Sequence, residues 1–76
     1  IYDADFINYS QDYLSFENFD YKFKNLLIYN LDGRISSNHD VNGKSKVNVG
    51  HLNCGMYIIE IEDFDGNKIN KKVIIK

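Results

Sequence analysis

The chain has 76 residues, 43% of them apolar and 14% aromatic, with six Tyr, five Phe, no Trp, no Pro and a net charge of −2. That is one domain near the lower limit of independent folding, with enough apolar content for a modest core and too much for intrinsic disorder. The charge balance excludes the basic surface that duplex nucleic acid requires, and no run of about 18 apolar residues is present to span a bilayer.

Charge is placed unevenly. Asp3, Asp5, Asp12, Glu17 and Asp20 stand near the start with no Lys or Arg among them, whereas Lys68, Lys71, Lys72 and Lys76 crowd the end with no acid. The plain expectation is two solvated surfaces that attract each other across the fold. A single cysteine, Cys54, leaves no internal disulfide to staple a small exported domain. The chain opens on Ile1, has no basic stretch followed by an apolar one at its start, and is expected to be part of something longer.

The first 25 residues carry two strand-like segments. Leu14 and Phe16 alternate in "DYLSF", as do Phe19, Tyr21 and Phe23 in "FDYKF", with a bend expected around Glu17-Asn18. Tyr9, Tyr13 and Phe16 also fall at helical spacing, so one helical turn competes there. In "NLLIYNLDGRISS", Leu27, Tyr29 and Leu31 take one face and Leu26, Ile28 and Asn30 the other. Asp32-Gly33 supplies the hairpin turn, and Arg34 to Ser37 is expected to return as a strand.

Asn42-Gly43 marks the next turn, after which "KVNV" is a short strand with Val47 and Val49 on one side. "GHLNCG" turns the chain again. "MYIIEIED" then reads as the cleanest strand, with Tyr57, Ile59 and Ile61 inward and Glu60 and Glu62 outward beside Met56 and Ile58. "FDGN" is a hairpin turn, and "KINKKVIIK" closes the chain with Ile69, Val73 and Ile75 on one face. Gly33, Gly43, Gly55 and Gly66 recur at the spacing of an all-β sandwich, and β-branched residues outweigh any helical pattern. The expected fold is an all-β, immunoglobulin-like antiparallel sandwich of about seven short strands, formed by residues 1–76 as one domain.

Little in the chain suggests chemistry. His51-x-x-Cys54 is half of a zinc site, and only the remote His39 could join it. Neither histidine nor Cys54 has an evident orienting group for nucleophilic catalysis. Asp63, Asp65 and Asn67 superficially resemble the start of a calcium loop, but Ile74 stands at the twelfth position, where that loop needs a bidentate Glu. Asp65-Gly66 therefore reads as a turn. Strand aromatics could stack sugars or bases, yet core packing is their commoner use. No enzyme, metal site or cofactor is expected.

"IYNLDGR" followed by "VNVGHLNCGMYIIEIEDFDGNKINKKVIIK" resembles the C-terminal sorting domain of proteins exported by the type IX (Por) secretion system. The family's "IYNxxG" falls on Ile28, Tyr29, Asn30 and Gly33, and its "L-x-x-G-x-Y" on Leu52, Gly55 and Tyr57. Gly66 takes the final turn, and Lys71, Lys72 and Lys76 the closing strand. Upstream, "FINYSQDYLSF" is similar to the family's "YPNP" segment, with Phe6 for the Tyr, Asn8 retained, Ile7 and Tyr9 in place of both prolines, and Leu14-Ser15-Phe16 as the strand.

The resemblance implies a secretion signal at the end of a longer protein. The partners it implies are an N-terminal cargo domain, the outer-membrane translocon with its shuttle components, and a sortase-like peptidase that often removes the domain. Nucleic acid and membrane insertion play no part. The implied route passes through the periplasm to the cell surface or medium. Lys71, Lys72 and Lys76 are the expected recognition residues, while Ile28, Tyr29, Asn30, Gly33, Leu52, Gly55, Tyr57 and Gly66 are structural. Lysines on an edge strand also discourage aggregation, which is the rival account of Lys72 and Lys76. The alternative function is an immunoglobulin-like or fibronectin-like spacer or carbohydrate-binding module of an extracellular enzyme.

Overall fold

A computed structural model describes residues 6–16 and 22–76. Seven strands, β1 (Asn8–Ser10), β2 (Tyr13–Ser15), β3 (Phe23–Asn30), β4 (Ile35–Asp40), β5 (Lys46–Asn48), β6 (Gly55–Asp63) and β7 (Lys68–Ile75), form two antiparallel sheets. One sheet is ordered β1-β2-β5, the other β4-β3-β6-β7. This is the immunoglobulin-like arrangement, with the fourth strand paired to the third instead of joining the first sheet. The expected bend at Glu17-Asn18, the alternation of Phe19 and Tyr21, and the acids Asp3, Asp5, Glu17 and Asp20 lie outside the described residues.

Alternation decides which side of the large sheet is buried. Leu26, Ile28, Ile59 and Ile61 are fully buried, with Phe23, Tyr57, Ile69, Val73 and Ile75 nearly so. Register lines them up across the sheet: Leu26, Ile61 and Ile69 form one inward row, and Asn30, Tyr57 and Val73 another. The small sheet answers with Leu14 and Val47 as direct cross-strand partners, and Ile7, Phe16 and Val49 close the ends of the core. At one end the Phe6 and Phe23 rings stack at 5.3 Å, and Phe16 meets Phe23 edge-on. Such aromatic pairs add about 1 kcal/mol each to the area they bury.

Two local differences from the sequence reading stand out. Asn8–Ser10 is a strand of its own, so the helical spacing of Tyr9, Tyr13 and Phe16 reports a tight hairpin instead. Its two turn residues, Gln11 and Asp12, both have positive φ (48° and 71°), a conformation usually left to Asn and Gly. They are held there because the Asp12 carbonyl oxygen accepts the Val49 N–H at 2.7 Å. Gly50 completes that fit: a Cβ on it would come within 3.2 Å of the Asp12 side chain. The returning strand after Gly33 begins at Ile35, not Arg34, and runs on to Asp40. Gly33 itself takes φ +91° at the turn, where any Cβ would be strained.

Tyr57 locks the turn between β5 and β6. Its hydroxyl donates to the Asn53 carbonyl oxygen at 2.8 Å, four residues upstream, while its ring is buried under Leu52 and the core. This is the tyrosine corner of immunoglobulin-like sandwiches. Leu52, Gly55 and Tyr57 therefore form one device: a half-buried plug, a turn residue and a latch. The hairpin after β6 has its own latch. Asp63 is buried, and its Oδ1 accepts the N–H groups of Asp65 and Asn67, both at 2.9 Å, while Oδ2 accepts Asn67 Nδ2 at 3.1 Å. Asp63 and Asn67 thus organise the turn, and Gly66 (φ +88°) completes it.

Candidate functional site

β7 is an edge strand, bonded only to β6; it carries Lys71 and Lys72, and Lys76, the third lysine selected from the sequence, falls just past its end at Ile75. Strand alternation sends them to different places. Lys71 lies on the core-facing side, in the row Ile28–Ile59–Lys71. Its half-buried stem follows the apolar surface, and Nζ donates to the Ile7 carbonyl oxygen of the opposite sheet at 2.6 Å. That bond ties the two sheets together beside β1, and an inward-pointing lysine on an edge also deters pairing with another chain.

Lys72 points the other way. It is exposed, opposite Ile58 on the outer face of the large sheet. Lys76 is exposed just past the strand end, and its carbonyl oxygen accepts the Tyr9 hydroxyl at 3.0 Å. Between β1 and β7 runs a groove of about 550 Å³ that both Lys71 and Lys76 line, with Asp12 as the acid at its rim. Attraction between the acidic start and basic end of the chain was expected. Four of the five acids it rests on, Asp3, Asp5, Glu17 and Asp20, lie outside the described residues; among the described residues the ion pair present is Arg34–Asp32 at 3.4 Å, an exposed contact within one turn. Next to β1, Lys71 Nζ donates to the Ile7 carbonyl oxygen, and the Lys76 backbone carbonyl accepts the Tyr9 hydroxyl.

Ile28 is fully buried, and Tyr29 is half-buried on the outer face. Asn30 frames the β3–β4 turn by exchanging backbone bonds with Gly33 and Arg34.

His39 and His51, distant in sequence, come together with ring centroids 6.4 Å apart. Ser37 and His39 are on the inner side of β4, where the register pairs them with Ile28 and Leu26, and Ser37 Oγ lies 2.9 Å from His39 Nε2. The smaller sheet has three strands against four, and β4, at the edge of the larger one, is polar on both faces from Ser36 to Asp40. Cys54 is exposed, and among the described residues no three His, Cys, Asp or Glu side chains gather as metal ligands.

Burial holds the His39 pKa below its usual 6.5, and the nearby His51 and Lys44 push it the same way. The folded protein then binds fewer protons than the unfolded chain below about pH 6.5, so stability falls as pH falls through that range. In His39→Asn, the drop in melting temperature between about pH 7.5 and about pH 5 is expected to be smaller than in the parent, as followed by circular dichroism.

Sequence reasoning did not find one surface. On the outer face of the large sheet, the register sets Ile35, Tyr29, Ile58 and Lys72 side by side, with Met56 and Ile74 paired in the next row. The alternation of each strand hints at these residues singly, but their adjacency depends on strand order and a bulge at Ser36.

A family model described as the secretion system C-terminal sorting domain matches residues 6–76, nearly the whole chain. Neither the curated proteins nor the solved structures contain a match.

Proposed function

This chain belongs to the C-terminal sorting domains of the type IX secretion system, and on that premise we propose that it directs an attached N-terminal cargo from the periplasm through the outer-membrane translocon and is then cut off by a sortase-like peptidase. The domain is the passenger's label and the machinery's substrate. It has no turnover of its own. The family match over residues 6–76 carries this reading, because it spans both sheets and all the turn motifs at once.

The reading divides the lysines by what they touch. Lys72 and Lys76 are exposed and are the side chains a receptor meets. Lys71, engaged by the Ile7 carbonyl oxygen, keeps the β7 edge in place for them.

The test is a fusion of the chain behind a periplasm-directed reporter in a host with the type IX system. The reporter is expected on the cell surface or in the medium, and cleavage appears as loss of about 8.9 kDa from the exported form. A reporter that stays in the periplasm refutes the sorting role. One exported at full size refutes only the cleavage.

A further inference from the structure

We propose that the outer face of the four-stranded sheet is a docking surface for a protein partner that presents apolar side chains bordered by carboxylates. This rests on the sorting reading and specifies the surface through which the machinery would grip the domain. Leu31, Ile35, Met56 and Ile74 are 59%, 58%, 40% and 53% exposed, although each is large and apolar. Scattered singly they would mean nothing, but the register makes them neighbours. Ile35 is opposite Tyr29, Tyr29 opposite Ile58, and Met56 opposite Ile74, so the apolar strip crosses all four strands. Leu31 extends it at the β3–β4 turn.

Charge selects the occupant. Along β7, Lys72 stands next to Ile74 on the same face and Lys76 follows the strand end, both exposed and neither in an ion pair among the described residues. At the opposite border, Arg34 is already paired with Asp32. The strip therefore has an uncompensated cationic margin on one side, which an acidic border on the partner would satisfy and which would set its orientation. An anionic bilayer would also meet lysines, but Glu60 and Glu62 stand on this same face in the next rows and would repel it. Tyr29 and Ile58, at the centre of the strip, are half-buried, so little apolar surface projects far enough to insert between lipids.

The experiment uses the reporter fusion with two substitution pairs. Met56→Thr/Ile74→Thr removes the apolar strip while keeping β-branched strand formers, and Lys72→Glu/Lys76→Glu reverses the margin. Each pair is expected to keep the parent's melting temperature within a few degrees and to lower surface delivery about tenfold or more. Lys72→Arg/Lys76→Arg, which keeps the charge of the margin, should recover most of the export that the Glu pair loses. Phe64→Thr, which removes an equally exposed apolar residue, 56% exposed, at the far end of the sheet, should export normally.

If the parent fusion fails to leave the periplasm, the sorting reading falls and the docking surface with it. If the parent is exported and both pairs are exported equally well, the surface alone is refuted. Two further measurements on the purified chain also bear on it. Cosedimentation with phosphatidylethanolamine–phosphatidylglycerol vesicles, lost in Met56→Thr/Ile74→Thr, would overturn the protein partner in favour of a membrane. A dimer abolished by the same pair would overturn it in favour of a second copy.

Discussion

Replacing Ile59 by Ala is expected to lower the melting temperature by about 15–25 °C. Ile59 is fully buried at the centre of the large sheet, with Ile28 on one side and the Lys71 stem on the other. Truncation to Ala removes three carbons and leaves a cavity between two sheets that cannot close over it, at a cost of about 3–4 kcal/mol. A domain of this size holds only roughly 4–11 kcal/mol in total, so the variant should be partly unfolded at growth temperature. The neighbour makes the control. Ile58 has the same side chain on the opposite face, half-buried, and Ile58→Ala should cost about 1 kcal/mol or less. Urea melts of the two variants check the assignment of faces. Equal losses would mean that the sheet is not packed on one side as described.

The second large effect is expected at Asp63. Its carboxylate is buried and accepts two backbone N–H groups and the Asn67 amide. Asp63→Ala strands those donors at the β6–β7 turn and should cost about 2–3 kcal/mol, whereas Asp63→Asn keeps one acceptor oxygen and should cost about half as much. The same variants separate the turn from the calcium-loop resemblance. If Asp63 works through the turn, the parent's melting temperature is unchanged by calcium or EDTA and the deficit of Asp63→Ala persists in both. A calcium-dependent rise in the parent that disappears in Asp63→Ala would reverse that assignment.

The large sheet was legible in the sequence because its strands are long. Over eight or nine residues, as in β3, β6 and β7, alternation between apolar and polar positions separates two faces without ambiguity. The turn glycines fix where such strands must end. The small sheet was harder, since three residues cannot establish a period, and β1 was hidden behind a turn made by Gln11 and Asp12. That turn is stabilised by Val49, far along the chain, so no local propensity announces it.

The lysines show the same division. Their place on the last strand, and which of them alternate with Ile69, Val73 and Ile75, follow from the sequence alone. That Lys71 reaches across to Ile7, and that Lys72 and Lys76 border an apolar strip, depend on which edge β7 occupies and what lies opposite it. The sequence by itself determined the sandwich, its glycine turns and the sorting-domain family, since these rest on local period and on motif order. Only the tertiary structure decided the tyrosine latch at Asn53, the turn-holding carboxylate of Asp63, the His39–His51 pair and the composition of the outer face. The physical reason is that each of these requires a cross-strand register or a loop closure, and neither is encoded at any single position.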